Sequence, residues 1–179
     1  MRALDTLVFR PGTAADAADL AAVLVEGFES YRVFAAPDYR APDATGVAGD
    51  LAARLGVPSV WCRLAEHASG VAGYVSLLPA SESRRPDPEP GLAHFWMLFV
   101  RAPWWGTGLA TRLHGAACDE ATAREYTAMR LFTPTHHARA RRFYEREGWA
   151  FAGGPRAEDY LGFSVVEYRL PLLRSIMPG

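Results

Sequence analysis

The stretch that decides the fold runs from Leu98 to Leu113 and reads Leu-Phe-Val-Arg-Ala-Pro-Trp-Trp-Gly-Thr-Gly-Leu-Ala-Thr-Arg-Leu. An apolar run rich in β-forming residues, 94–100, leads into it and is stopped at Pro103. Two glycines follow, and beyond them small and apolar residues recur at helical spacing, at Leu109, Leu113, Ala116 and Ala117. The pattern predicts a strand, a glycine turn and a helix, in that order.

A strand, a turn and a helix in this order can form a site for phosphate. The first amides of a helix have no partner within it, and the helix dipole adds a partial positive charge there. Glycine at 106 and 108 permits positive φ and places no Cβ between a ligand and the backbone. An ordinary strand-to-helix turn has the same shape, so the turn by itself leaves both interpretations open.

Size, composition and charge favour one globular domain. The 179 residues are 50% hydrophobic and carry a formal net charge of −1. This balance argues against disorder and gives no electrostatic reason to expect nucleic acid or an anionic membrane as a partner. We therefore expect a single domain over residues 1–179.

Targeting signals and metal-ligand patterns are not evident in the sequence. The amino terminus lacks the apolar segment of a signal peptide, and no apolar run reaches the length of a membrane span, so we expect a cytoplasmic protein. Cys62 and Cys118 are too few to predict a disulfide framework. His136 and His137 are adjacent and would point about 100° apart on a helix, so we expect no metal.

Periodicity predicts the elements along the rest of the chain. Helices are expected over 16–28, 44–55 and 107–125, with a last helix that Thr133 caps, Pro134 begins and Glu147 ends. Strands are expected over 4–10, 59–65, 71–79, 94–101, 129–133, 149–151 and 164–170. Residues 81–91 are expected to be an exposed connection. The order predicts an α+β fold, a mixed sheet covered by helices on both faces.

The glycine turn resembles the acetyl-CoA-binding signature of the GCN5-related N-acetyltransferase (GNAT) superfamily. That signature is Arg or Gln, two residues, Gly, one residue, then Gly or Ala, and here Gly108 and Ala110 fit while Trp105 replaces the Arg or Gln. The resemblance implies that main-chain amides hold the pyrophosphate and that the pantetheine arm pairs with strand backbone. The residues so implied are Leu98, Phe99, Val100, Trp105, Gly106, Thr107, Gly108, Leu109, Ala110 and Thr111.

A second stretch, 140–149, resembles the other GNAT landmark, which has Ala, an aromatic residue, Tyr, Gly and an aromatic residue at fixed spacing. Ala140, Phe143 and Tyr144 share one helix face by their spacing. The resemblance implies cofactor contacts from Ala140 and Phe143, and from His137, which stands where the family has Asn. The charged residues of the same segment, from Arg139 to Arg146, predict a solvated face with local pairs such as that of Arg141 with Glu145.

Tyr144 and His94 are the candidate catalytic residues. A phenol with a pKa near ~10 keeps its proton at neutral pH and can protonate the thiolate that leaves when an amine attacks a thioester. His94 stands where the family often has Glu, and a histidine pKa near ~6.5 suits removal of a proton from the amine. Strand parity predicts that His94, Trp96, Leu98 and Val100 point to one face.

Structural roles for these two residues remain open. A tyrosine can anchor a helix to a sheet, and a histidine can be hydrogen-bonded at a sheet edge. Glu29, Asp38 and Glu66 are alternative candidates for the base. Tyr31, Phe34 and Tyr39 stand where GNAT enzymes place an acceptor-side loop, so they line either a substrate pocket or a dimer contact.

The resemblance covers about Leu4 to Leu170 and implies the GNAT fold, an α/β/α sandwich around a mixed, mostly antiparallel sheet. It implies an acyltransferase that moves an acetyl group from acetyl-CoA, its co-substrate, to a primary amine of a small molecule by direct attack in a ternary complex. The alternatives are a non-catalytic acyl-CoA-binding or sensing module and an acetyltransferase that acts on a protein or peptide N-terminus. We expect no nucleic acid or membrane partner, and a homodimer is left open.

Overall fold

A mixed sheet forms the centre of the molecule, for which a computed structural model describes residues 4–158 and 162–172. Within those residues its strands are β1 (Val8–Pro11), β2 (Trp61–His67), β3 (Gly70–Pro79), β4 (Leu92–Val100), β5 (Ala128–Pro134), β6 (Ala150–Glu158) and β7 (Phe163–Pro171). They lie in the order β1-β2-β3-β4-β5-β7-β6. Neighbours are antiparallel except β4 and β5, which are parallel. The predicted mixed, mostly antiparallel sheet is confirmed.

Helices cover both faces of this sheet. The helices are α1 (Ala17–Glu29), α2 (Ala44–Leu55), α3 (Leu109–Ala123) and α4 (Ala138–Arg146). One core lies under α1 and α2 and includes Leu20 and Leu51, and the other lies under α3 and α4 and includes Leu113 and Tyr144. The α/β/α sandwich is therefore confirmed. Among the described residues, no helix is both long and apolar enough to cross a bilayer.

Several predicted boundaries are wrong because long-range pairing decides them. Residues 4–6 form a 3-10 turn, and β1 begins only at Val8. The predicted helix start at Thr133 and Pro134 is strand, because both residues pair with β7. Helix α4 begins instead at Ala138. The last hairpin is also longer than predicted, since β6 extends to Glu158 along β7.

A β-bulge in β4 changes which face of the sheet its side chains lie on, compared with the prediction. Ser76 pairs with Met97 and the next residue of β3 pairs with Phe95, so one residue of β4 is extra. As a result Trp96 packs in the core under α1 and α2, whereas Leu98 packs in the core under α3 and α4. The prediction that His94, Trp96, Leu98 and Val100 share one face is therefore wrong.

Candidate active site

The parallel strands β4 and β5 separate soon after they meet. Their pairing covers three positions, from Leu92 with Ala128 to His94 with Arg130. Beyond these positions β4 continues to Val100 and β5 to Pro134 without further pairing to each other. Backbone groups on the facing edges are thus open to an extended ligand, which can add to an exposed edge as a strand does.

The predicted glycine turn lies where β4 ends. Gly106 has φ +73° and Gly108 has φ +91°, conformations that residues with a Cβ rarely adopt. Gly108 is the N-cap of α3, and no side chain caps the helix. Among the described residues the first main-chain hydrogen bond of the helix is donated by Arg112 to the Gly108 carbonyl. The Leu109 amide donates only to the Thr107 hydroxyl, at 3.4 Å, and the amides at 110 and 111 have no acceptor among the described residues.

The open amides face free space rather than packed protein. A Cβ added at Gly106 would meet no atom within 4 Å, and one at Gly108 would meet only a Leu4 methyl at 3.8 Å. Thr107 orders the turn, because its hydroxyl donates to the Trp104 carbonyl at 2.7 Å. This combination of positive φ, open amides and a helix N-terminus fits the diphosphate of a nucleotide.

Helix α4 lies beside the turn and brings a guanidinium to it. The Arg139 guanidinium carbon is 3.4 Å from the centre of the Trp105 ring, whose Nε1 donates to the Val100 carbonyl at 2.6 Å. At the other end of α4, the Thr111 hydroxyl donates to Glu147 at 3.0 Å. A guanidinium from α4 thus stacks on Trp105, the residue at the position where the family signature has Arg or Gln. The sequence did not predict this contact because the two residues are distant in the chain.

Arg141 and Glu145 do not form the predicted direct pair but are linked through the hydroxyl of a tyrosine in β7. Arg141 donates to the Tyr168 hydroxyl at 3.0 Å, and that hydroxyl donates to Glu145 at 2.7 Å. Arg141 also donates to the Thr135 carbonyl at 3.1 Å. These contacts fix α4 against β7 and the end of β5.

Tyr144 is held by aromatic rings in the core under α3 and α4. Its ring contacts Phe95, Trp149 and Tyr168, and the residue is 9% exposed. Burial raises the pKa of the Tyr144 hydroxyl. Burial, and secondarily Tyr144, raises the pKa of the Tyr31 hydroxyl.

An aromatic cavity of about 910 Å³ lies on the α1 and α2 side of the separated strands. His94, Trp96 and Phe99 of β4 line it, as do Phe132 and Pro134 of β5. Its remaining walls come from α1, the 31–42 loop, α2, the 83–85 segment and the β6–β7 hairpin. Residues of both strands beyond their last paired positions therefore form part of its wall.

Of the three aromatic residues predicted to line a substrate pocket or a dimer contact, two line this cavity. Tyr31 and Tyr39 line it, whereas Phe34 lies against Tyr31 and His137 at ring distances of 5.3 and 5.4 Å. Burial, and secondarily Arg139, lowers the pKa of His137 to about 4. His137 is therefore a neutral side chain against aromatic rings at the start of α4.

His94 lines the cavity, and one of its ring nitrogens is buried without a partner among the described residues. The residue is 8% exposed, and its Nδ1 makes no hydrogen bond with the described residues. Burial, with the Arg130 charge as a second cause, lowers the pKa of His94 to about 3, so the expectation of a pKa near ~6.5 is wrong. His94 is thus a neutral hydrogen-bonding group at neutral pH and a weak base.

The other three candidate bases lie outside the cavity. Glu29 bonds to Arg32, Glu66 bonds to Arg10 at 2.8 Å, and neither they nor Asp38 belong to the described lining. The lining does contain one buried carboxylate, Glu158, which sequence analysis missed. It lies at the end of β6, and its position depends on a hairpin register that no local pattern predicts.

The 83–85 segment is pinned rather than freely exposed. Buried Arg130 donates to the Ser83 hydroxyl at 2.8 Å, to the Arg85 carbonyl, and to Asp87 at 3.3 Å. Arg169 adds a second bond to Asp87 at 3.1 Å. The predicted exposed connection over 81–91 is confirmed for most of its residues, but Ser83 is buried and residues 83–85 line the cavity.

Comparison with known proteins agrees with this geometry. The model of the Acetyltransferase (GNAT) family matches residues 27–149. Among curated proteins, no sequence matches the chain significantly. Many solved structures share the fold.

Three of these structures illustrate the likeness. An acetyltransferase from Thermus thermophilus is 20% identical, with a TM-score of 0.70 over 96% of this chain and 100% of that one. A GCN5-related N-acetyltransferase from Kribbella flavida is 19% identical, with a TM-score of 0.69 over 94% and 99%. PaiA N-acetyltransferase from Thermoplasma acidophilum, in complex with coenzyme A, is 12% identical, with a TM-score of 0.67 over 90% and 97%.

At these identities the structural likeness is one of fold, and the family match carries the assignment. It runs from the end of α1 through α4 and includes both the glycine turn and Tyr144. The chain belongs to the Acetyltransferase (GNAT) family and is an acetyl-CoA-dependent acyltransferase.

Proposed function

We propose that the protein transfers an acetyl group from acetyl-CoA to the primary amine of a small molecule by direct attack in a ternary complex. One observation supports this proposal: β4 and β5 separate beyond His94 and Arg130, both strands line the aromatic cavity, and β4 leads on to the glycine turn. The donor and acceptor then meet between the strands. A bounded cavity of about 910 Å³ suits a small molecule better than an extended polypeptide.

The proposed donor site runs from the glycine turn into the separation. The amides at 106–111 hold the diphosphate, and the β4 backbone at 98–100 pairs with the amide groups of the pantetheine arm. Arg139, stacked on Trp105, adds a charge-assisted contact to the diphosphate. His137, Ala140 and Phe143 form the α4 side of the same groove, since α4 lies beside the turn.

The proposed chemistry needs one proton donor and one group that binds the amine. Acetyl-CoA supplies the acetyl group as a thioester, and coenzyme A leaves as a thiol. Tyr144 donates its phenolic proton to the departing sulfur and then takes up a proton from solvent. Because burial raises its pKa, the hydroxyl carries its proton at neutral pH. The new N–C bond forms as the C–S bond breaks.

His94 is the proposed contact for the attacking nitrogen. Its unpartnered Nδ1 accepts a hydrogen bond from the neutral amine and orients the nitrogen lone pair toward the thioester. With a pKa of about 3, His94 holds a proton only briefly, so the proton lost by the amine passes on to solvent in the cavity.

A thiol-release assay tests the proposal directly. Purified protein with acetyl-CoA is offered amino acids, polyamines, aminoglycosides and short peptides, and binding of acetyl-CoA is measured in parallel by titration calorimetry. We expect micromolar binding of acetyl-CoA and rapid thiol release with at least one small amine. Binding without release for any amine contradicts catalysis, and release with peptides alone contradicts the small-molecule assignment.

A further inference from the structure

The lining of the aromatic cavity carries an excess of positive charge. Its charged side chains are Arg40, Arg54, Arg84, Arg85, Asp50 and Glu158, four cations against two anions. The chain as a whole has a formal net charge of −1, so this excess is local. A cavity of this kind disfavours polycationic ligands and favours ligands that carry an anion.

Two of the arginines are partnered by the two carboxylates. Arg85 pairs with buried Glu158 at 2.6 Å, which neutralises both charges. Arg84 lies 3.8 Å from Asp50, and both side chains are more than half exposed, so that pair is weak. Arg40 and Arg54 have no carboxylate within 4 Å among the residues the structure describes.

Backbone carbonyls hold Arg40 and Arg54 in place without neutralising them. Arg40 donates through Nη1 to the carbonyls of Asp38 and Tyr39, each at 3.0 Å. Arg54 donates through Nη1 to the Glu82 carbonyl at 3.0 Å, and its guanidinium lies 5.9 Å from the Trp96 ring centre. A guanidinium has five N–H donors, so each side chain keeps donors for a ligand.

Other arginines in the molecule, by contrast, form ion pairs with carboxylates of the protein. Arg10 bonds to both Asp16 and Glu66, and buried Arg130 and half-buried Arg169 both bond to Asp87. Arg54 is also partly buried and lines the cavity, yet its guanidinium pairs with no carboxylate of the described residues. The unneutralised charge at the cavity wall therefore points to an anion brought by a ligand.

The rest of the wall fits the other parts of such a ligand. Trp96, Phe132 and Phe163 offer apolar surface for its body, and the unpartnered Nδ1 of buried His94 offers a hydrogen bond at the end nearest the strands. The cavity thus combines an apolar wall, two free guanidinium groups and a neutral contact for an amine.

We propose that the acceptor is an amine that also carries a carboxylate on an apolar body, in the manner of an amino acid, and that Arg54 and Arg40 bind the carboxylate. This inference rests on the proposed acetyl transfer and narrows its substrate class. The nitrogen forms a bond with the acetyl carbon, the C–S bond breaks, and the products are an N-acetylated acid and coenzyme A. Polyamines and aminoglycosides are excluded as preferred acceptors because they meet repulsion from the same guanidinium groups.

Matched pairs of acceptors test the inference. L-phenylalanine is compared with phenethylamine, and L-leucine with 3-methylbutylamine, with spermidine as the polycation. We expect kcat/KM for each amino acid to exceed that of its decarboxylated partner by about 10- to 100-fold, the effect of one or two charge-assisted hydrogen bonds. The variant R54Q should reduce this ratio to about 2 or less, chiefly through KM of the amino acid. Arg63 of β2, which lies outside the described lining, supplies the matched control R63Q, which should keep the wild-type ratio.

Calorimetry with the coenzyme A-saturated protein separates the two proposals. One outcome is that the wild type binds the amino acid but releases no thiol, and that R54Q does not bind it. This outcome supports the carboxylate site and overturns acetyl transfer to these acids. Turnover of the decarboxylated amines or spermidine at equal or higher kcat/KM overturns the carboxylate site and leaves acetyl transfer standing. If R54Q keeps the wild-type ratio of kcat/KM between an amino acid and its decarboxylated partner, the carboxylate site is also overturned. If no amine binds and none gives thiol release, both the carboxylate site and acetyl transfer are overturned.

Discussion

The substitution Tyr144→Phe isolates the proposed proton donor because the structure separates its ring from its hydroxyl. The ring packs against Phe95, Phe143 and Trp149 at centre distances of 6.2, 5.4 and 5.9 Å. The hydroxyl makes no hydrogen bond with any residue described in the structure. Phenylalanine keeps the ring contacts and breaks no bond, so the free energy of unfolding should change by about 0.5 kcal/mol or less.

The expected loss is in turnover. A positioned general acid contributes about 10²- to 10⁴-fold to a rate, which corresponds to about 3–5 kcal/mol of activation free energy. Y144F should therefore bind acetyl-CoA with wild-type affinity by calorimetry and release thiol about 10²-fold more slowly or worse. Since burial raises the pKa of Tyr144 above 10, the wild-type enzyme should not lose activity through its ionisation up to that pH.

Two comparisons make this prediction falsifiable. Tyr31 is the rival donor, because it is buried, lines the cavity and interacts electrostatically with Tyr144. Tyr126→Phe is the control, at a partly buried tyrosine outside the described cavity lining. Wild-type turnover in Y144F, with a viscosity series showing that chemistry limits the rate, refutes the assignment. Loss of turnover in Y31F but not in Y144F moves the role to Tyr31.

Three further predictions concern the donor site and the effect of pH. Gly108→Val should weaken acetyl-CoA binding about 100-fold or more in calorimetry, because φ +91° is strained for a β-branched residue, whose side chain would also cover the open amides. Gly115→Val is the control, since Gly115 lies within α3 and a Cβ added there meets no atom within 4 Å, so this variant should bind acetyl-CoA normally. Equal affinities of the two variants would contradict the phosphate turn. Arg139→Gln should weaken binding several-fold and reduce its dependence on salt, and an unchanged salt slope would remove Arg139 from the site. His94 has a lower pKa in the folded than in the unfolded chain, so it takes up a proton more readily on unfolding, and its contribution to stability is lost as pH falls below about 6.5. Between pH 7 and pH 5 the free energy of unfolding, measured by urea titration, should therefore fall by about 2 kcal/mol through His94. His94→Phe should remove this loss, whereas a substitution of exposed His136 should not. If the free energy of unfolding depends on pH equally in wild type and H94F, His94 is not buried as a neutral group.

Local sequence predicted the parts of the site that local chemistry builds. The end of β4, the glycine turn and the start of α3 lie within sixteen consecutive residues, 98–113, and two glycines with positive φ shape the turn. The single face formed by Ala140, Phe143 and Tyr144 follows from helical spacing and packs in one core as predicted. These features need no information from distant parts of the chain.

Features decided by tertiary pairing could not be predicted in this way. The bulge at Trp96 depends on the register of β4 against β3, and the late start of α4 depends on pairing of Pro134 with β7. The pKa of His94 depends on burial beneath elements far away in sequence. Arg54 illustrates the point most clearly, since a helical arginine resembles any solvated charge until the fold places it on a cavity wall where it pairs with no carboxylate of the described residues.

The most direct test of the account is a crystal structure of the protein with coenzyme A. The account predicts the diphosphate at hydrogen-bond distance, about 3 Å, from main-chain amides between Gly106 and Thr111, with the pantetheine arm between β4 and β5 and its sulfur near Tyr144. A diphosphate bound elsewhere, or an arm that does not enter between the two strands, would contradict it.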